Sequence, residues 1–515
     1  MTDVPIASKA GRTRRRWLGP RRIALGLFSG VAIAGLVSWL AAGWMASSEL
    51  HEAKVAADRL DPGWRFDAVL ARRAEILPAE NSAVTMRLIR SKMRGDFPKG
   101  PKRIPRSPGV PPRQPRKELN ERLDAIPASE RLDDATAAEI RRELRPIGPA
   151  VIQARSLARG AMGRTDPKYQ YLLWGTLLPH VQASRSVARL LQADSAIQAH
   201  DGAIDGALED CRAILGVERS IGDEPFCISQ LVRIAILNIG LSAAERALNQ
   251  GTASDAALAR LQTLILDEAD NSASLIGLRG ERAMVDDVFM KLATGEVTVK
   301  QMNGMGPNDP STATEILTSM STAFVRHNHA LAMIRMNAAV EIAKRPIEAQ
   351  PPLWEEWEKG AALADGLVAQ LASNLSREAI PSIGHFSNAC IRIRVQCSAM
   401  LVLIGAERHR LAHGRFPDRI DTIDPRFVPR SFVDPYSGKP LIYKADGEGG
   451  LIVYSVSFDR IDDGGTLELR KWTNKGIDLG FRLKSVPNRA RPPKFATLPE
   501  NVFVQEPEVE EDSAP

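Results

Sequence analysis

The sequence predicts a mainly α protein. It has an N-terminal transmembrane helix, a helical bundle or irregular α-solenoid body, and a small C-terminal α+β module with an antiparallel meander. Three observations predict this. Residues 23–46 (IALGLFSGVAIAGLVSWLAAGWMA) carry no charged side chain. Apolar residues recur at helical spacing through most of 118–380. Beyond about residue 440 the pattern changes to short alternating runs broken by Gly and Asp, the mark of strands and turns.

The apolar run is long enough for a bilayer. At about 1.5 Å per residue it spans roughly 36 Å. Lys9, Arg12, Arg14, Arg15, Arg16, Arg21 and Arg22 precede it, against a single acid, Asp3. The positive-inside rule therefore puts residues 1–22 in the cytoplasm as a basic tail and the body outside. The expectation is a single-pass protein of the cytoplasmic (inner) membrane with its N-terminus in. Trp39 and Trp44 fall near the far interface. A cleaved signal peptide would have a shorter apolar core, about 7–15 residues, and a small-residue cleavage site. Gly26, Gly30 and Ala34 form a small-xxx-small ridge that offers anchor-mediated self-association within the bilayer.

Composition bounds the rest. The chain has 515 residues, 44% apolar and 25% charged, with a net charge of +6. The basic tail accounts for all of that excess, so basic and acidic side chains balance in the remainder. Nucleic-acid binding thus loses its compositional support. Four cysteines, Cys211, Cys227, Cys390 and Cys397, are too few for a disulfide scaffold. Cys390 and Cys397 lie about 10 Å apart along one helix, too far to bond. Cys211 and Cys227 could meet across a helix pair, and the alternative is buried free thiols.

Residues 47–93 read as juxtamembrane helices, broken by the turn Asp61-Pro62-Gly63-Trp64. Residues 94–117 are a Pro-rich basic linker, too polar and Pro-rich to build a core. The helical body at 118–380 shows clear stripes. Ile204, Leu208, Cys211, Ile214 and Leu215 form one. Leu231, Ile234, Leu237, Leu241 and Leu248 form another, with Gly251 placed as a C-terminal cap. Ser254 reads as the N-cap of the next helix, and a further one covers about 272–292. Residues 295–312 read as a loop, 314–344 as helix, 346–352 as an interruption and 354–377 as helix again. Residues 184–219, with Ala188, Ala196 and Gly202, resemble one tetratricopeptide-like helix pair, though no fixed repeat period follows.

The module at 381–485 opens with a helix over about 385–413, stopped by Gly414. Then come Arg415-Phe416-Pro417, Asp434-Pro435-Tyr436-Ser437-Gly438-Lys439-Pro440, a hairpin turn at 445–450 and a β-branched strand at 451–456. Leu467 with Leu469, and Leu479 with Phe481 and Leu483, alternate with polar residues. Residues 486–515 read as a disordered acidic tail.

This order resembles the periplasmic domain of the major type II secretion pseudopilins. The likeness rests on His413-Gly414-Arg415-Phe416-Pro417, on Asp434 to Pro440, and on Tyr454-Ser455 with Asp459. It covers about residues 385–485. One departure is large: a pseudopilin's apolar helix runs directly into this domain, whereas here the helical body intervenes. The resemblance implies calcium held by the loop after the Tyr-Ser strand, at Asp459, Asp462 and Asp463. Clustered Asp with flexible Gly suits a cation that wants six to eight oxygens, although Asp and Gly also favour ordinary turns.

Elsewhere the sequence names no chemistry. His409 and His413 are spaced i, i+4, but Arg-Leu-Ala lies between them and the general-base Glu of the His-Glu-x-x-His motif is missing. The chain has no P-loop, nucleophile elbow, dinucleotide fingerprint or Cys-x-x-Cys. The expectation is a membrane-anchored extracytoplasmic scaffold or protein-interaction protein of bacterial type, with the bilayer and envelope proteins as partners. The alternatives are an envelope-polymer hydrolase using acids of the helical body, and a secretion-apparatus accessory using the C-terminal module. A deep pocket with convergent carboxylates would favour the hydrolase; a broad groove without perturbed acids would favour the scaffold.

Overall fold

A computed structural model describes residues 20–93, 97, 119–270, 273–303, 322–362, 373–377, 380, 382–428, 430–467 and 477–493. Residues 1–19 of the basic tail, nearly all of the Pro-rich stretch, Leu469 and residues 494–515 lie outside them; residues 486–493, expected to begin the disordered tail, are described, with Arg489 buried against Glu407. The fold is mostly helical, with a small three-stranded antiparallel sheet near the C-terminus.

The first helix, α1 (Pro20–Leu60), is 41 residues long. The apolar run and the juxtamembrane helix are therefore one rod, since nothing between Ala46 and Leu60 breaks a helix. Three short helices follow, α2 (Phe66–Ala71), α3 (Ser82–Lys92) and α4 (Leu119–Ala125). Next come α5 (Asp134–Leu144) and α6 (Gly148–Arg155). The centre is a hairpin stack of α7 (Pro179–His200), α8 (Ile204–Arg219) and α9 (Cys227–Gln250). The predicted stripe on α8 is buried at Ile204, Leu208, Cys211, Ile214 and Leu215. Gly251 follows α9 but is extended, not left-handed. Glycine fits there because a Cβ would stand 2.7 Å from the Ile204 side chain.

Ser254 caps α10 (Asp255–Ala269) as expected, its Oγ accepting from the Ala257 amide at 3.2 Å. Then come α11 (Ala273–Ala293), α12 (Val299–Asn303), α13 (Thr322–Ala343) and α14 (Gln350–Ala362). The expected interruption at 346–352 ends early. Pro351 and Pro352 sit in the first turn of α14, where a missing N–H costs nothing. The last helix, α15 (Ile383–His413), is stopped by Gly414 in the left-handed region, φ 79°. Strands β1 (Ile442–Ala445), β2 (Leu451–Ser455) and β3 (Leu479–Leu483) pair in the order β1-β2-β3. Tyr443 faces Val453, and Val453 faces Phe481.

The helix-plus-meander shares its core with the helical body. Helix α15 packs on α9, α10, β2 and β3 at once. Asn249 of α9 donates to the Arg482 carbonyl at 2.8 Å and accepts from the Lys484 amide at 2.9 Å. One continuous apolar cluster runs from Met86 to Leu483.

Among the described residues, three helices are long and apolar enough to cross a membrane: residues 28–60, α9 and α15. Burial separates them. The apolar windows of α9 and α15 are 67% and 83% buried inside the protein, and that of α1 is 0% buried. A helix that is apolar all round must be covered by protein or by lipid.

Candidate functional site

The most built-up polar constellation in the molecule locks α1 to the body. Small residues open the seam: Ala53 and Ala57, about one turn apart, are buried against Met333 of α13 together with Trp64. Polar groups then close it at three levels. Near the apolar stretch, Arg326 donates to Ser47 Oγ at 3.0 Å and His327 meets Glu49 at 2.8 Å. At mid-height, Asp286 Oδ1 accepts from both Lys54 Nζ and His329 Nε2, each at 2.8 Å. His329 stacks on Phe289, 5.1 Å between centroids. At the far end, Asp61 accepts from Arg279 Nε and Nη2 and from Arg282 Nη2. Lys344 caps the helix by donating to the Leu60 carbonyl at 2.7 Å.

These charges are tuned by their partners. Burial alone would raise the Asp61 carboxyl, but the hydrogen bonds and charges of Arg279 and Arg282 outweigh it and hold it below the usual range. Asp286 behaves alike: burial raises it, while His329 and then Lys54 bring it below. Burial lowers His329, and the pull of Asp286 does not restore it. Arg282 is fully buried, and it faces the Trp64 ring as well as Asp61. Asn337 links the two levels, accepting from Arg282 and donating to the Ala53 carbonyl at 3.0 Å.

The residues expected to hold calcium lie in the loop after β2. Asp462 Oδ1 accepts from the Tyr454 hydroxyl and the Gly464 amide, 2.9 Å each. Asp459 Oδ1 accepts from the Ile461 amide at 3.3 Å. Asp478 joins them across the loop, accepting from the Gly465 amide at 2.7 Å, and its carboxyl is raised by burial and by Asp462 and Asp463. Among the described residues no group of three or more His, Cys, Asp or Glu is placed to hold a metal ion. The Asp459 and Asp462 oxygens turn to their own loop, the ordinary behaviour of Asp in a turn, whereas Asp463 Oδ2 is buried with no hydrogen-bond partner. The rings of His409 and His413 touch at a tilt of 45°, 4.3 Å between centroids.

Perturbed acids occur, but deep in the helical core. Burial first, and then Asp194, pushes Asp210 up to about 8, with Arg155 Nε 3.0 Å from it. Burial pushes Glu218 up to about 8 beside Arg233. The cleft over Glu218, Arg233 and Glu268 has room for about 30 Å³. That admits one water and no substrate. Glu224, fully buried, is held between His180 at 2.7 Å and the Ser229 hydroxyl at 2.5 Å. Glu224 rather than the histidine is central, so Ser229 bonds to the carboxylate and not to an imidazole as in a serine triad. All four cysteines are free and buried.

No family model, curated protein or solved structure matches this chain. Neither the pseudopilin-like nor the tetratricopeptide-like resemblance gains support from them.

The seam residues carry no signal in the sequence beyond Trp64 in its Asp-Pro-Gly turn. Arg279 and Arg282 look like any solvent-facing pair on a helix, and only the fold brings Asp61 to them.

Proposed function

We propose that this chain is a single-pass membrane protein, N-terminus inside, whose body acts as a rigid extracytoplasmic scaffold for other envelope proteins. The observation that carries the reading is the contrast in burial between α1 and the other two long apolar helices. An apolar face as long as 28–45 needs lipid to cover it. The positive flank before it supplies the direction.

The seam supports the scaffold part. A flexible linker would let the body wander. Here the stem beyond Ala46 is helical for about 21 Å more, ion pairs of Lys54 and Asp61 clamp it to α11, and Arg326 and Asn337 of α13 hydrogen-bond to it. Such a stem fixes the height and orientation of the body over the bilayer. Among the described residues, the raised acid Glu218 opens only onto a cleft of about 30 Å³, which gives the hydrolase alternative little to work with.

The test is cross-linking in intact cells, followed by purification of the full chain from gently solubilised membranes. Stoichiometric, reproducible partners are expected. A chain recovered from the membrane alone, with and without cross-linker, would overturn the scaffold reading.

A further inference from the structure

A cleft of about 250 Å³ opens where α13, α14, residues 373–377 and the start of α15 converge. Two guanidinium groups line it, Arg335 from α13 and Arg377. Arg335 stands over the indole of Trp357, its Cζ 4.2 Å from the ring centroid. A guanidinium held there keeps N–H donors free to bind. Neither arginine has a carboxylate partner among the described residues, although exposed arginines elsewhere in the chain, such as Arg419 and Arg426, do. Glu358 lines the same cleft, so one acid stands there with the two cations. Burial, and then Arg377, holds the Arg335 guanidinium below its ordinary value.

The opposite wall is the first turn of α15, with Gly384 and His385. Ser382 precedes that turn and makes no side-chain cap. Gly384 brings the backbone unusually close to Glu358 of α14: a Cβ at 384 would stand 1.7 Å from the Glu358 Oε1. The chain's own carboxylate thus stands at the positive end of a 31-residue helix, within reach of the cleft.

We propose that this cleft binds the phosphate group of a small soluble molecule, held by Arg335 and Arg377 against the first turn of α15, with Glu358 moving aside. Two guanidinium forks and a helix start suit a dianion better than a single carboxylate. The volume is below that of most drug-sized sites, so the ligand is small. A free phosphate compound fits better than a lipid headgroup. Arg326 on the same helix reaches Ser47, just beyond the apolar run, and Arg335 is nine residues further on. That is about 14 Å along the axis, beyond the headgroup layer. This step alone rests on the membrane reading above.

The test is calorimetric titration of inorganic phosphate into the full chain in non-ionic detergent. Saturable one-to-one binding is expected. Arg377→Gln, an exposed position, weakens it at least about tenfold, and Arg335→Lys weakens it while keeping the charge. Glu358→Gln tightens it several-fold. Opposite signs at neighbouring positions are not produced by misfolding. No saturable binding, or affinities unmoved by all three substitutions, would overturn the proposal. Repeating the titration in nanodiscs separates the sources. Phosphate binding that persists in phosphatidylglycerol discs supports a soluble ligand. Binding lost there but kept in phosphatidylcholine discs assigns the cleft to a headgroup and overturns it.

Discussion

Asp61 and Arg282, 221 residues apart in the chain, form a buried ion pair that closes the seam between the long first helix and the body. Arg279 braces the same carboxylate from the side, at 2.6 Å. An acid at the end of the stem therefore neutralises two cations presented by α11.

Removing that acid leaves Arg282 buried and uncompensated. Breaking a buried pair from one side typically costs about 3–5 kcal/mol. Asp61→Ala should lower the melting temperature of the full chain in detergent, and trypsin should then cut at Lys54 and Arg59, which the docked stem protects. Asp61→Asn keeps the shape but loses the charge, and should fall between. A melting temperature and cleavage pattern equal to the parent's would mean that the seam is held by the Ala53, Ala57 and Met333 contacts alone.

Acid should loosen the same seam, in two stages. His329 titrates below its unfolded value of 6.5, so below that pH the unfolded chain takes up a proton that the folded chain resists. Its stabilising effect is lost as pH falls from about 6.5. Asp61 and Asp286 are depressed below 3.8; their contribution is present above that value and lost as pH falls through their folded values. Asp210 and Glu218, held protonated up to about 8, act in the opposite sense: their contribution fades as pH rises from their unfolded values toward 8. The comparison that isolates the seam is therefore the parent against His329→Gln, which keeps a donor to Asp286 without titrating. Melting curves between pH 7.5 and 5 should diverge, with the parent losing up to about 1.4 kcal/mol per pH unit more than the variant. Parallel curves would show that His329 keeps its proton balance on unfolding.

Much of this architecture is legible in the sequence. The apolar run, the α7–α8 hairpin turning at Gly202, the Ser254 cap and the stop at Gly414 each follow from local chemistry. Local signals act within a turn or two of helix, so they place elements and not partners. The apolar residues of α9 and α15 mark them as helices of the body, but do not say which elements each packs against. Gly251 shows the same limit: its role is a close approach to Ile204, 47 residues earlier, and not the local cap that its position suggests. The seam was invisible for the same reason. Lys54, Asp61, Arg279 and His329 sit in ordinary polar positions, and only the packing of three helices gives them one another.

The orientation of the anchor is open to direct labelling, because the four native cysteines are buried and free. Lys439→Cys lies on an exposed turn of the C-terminal region, and Ser8→Cys on the basic tail. In cells with a permeabilised outer membrane, an impermeant maleimide should label Lys439→Cys at once and Ser8→Cys only after the inner membrane is broken. The reverse pattern would invert the proposed topology. Labelling of both in intact spheroplasts would mean that the tail is also outside.

The turn at 434–440 is itself organised by one acid. Asp434 is 1% exposed and accepts from the Tyr436 amide at 3.0 Å, the Ser437 hydroxyl at 2.9 Å and the Ser455 hydroxyl at 2.7 Å. The Val456 amide completes the set at 3.3 Å. The carboxylate thus ties the 434–440 turn to the end of β2, and β2 is the central strand of the sheet. Asp434→Ala would strand three or four buried donors, each worth about 1–3 kcal/mol, and these losses are not additive. A total near 3 kcal/mol or more is expected, read as a lowered melting temperature. Asp434→Asn still accepts through its one carbonyl oxygen and should lose less. Because β3 and Asn249 of α9 are joined, the damage should spread into the helical body and appear as one cooperative transition at lower temperature. Two separate transitions, with the helical signal unmoved, would show that the sheet melts independently of the body despite their common core.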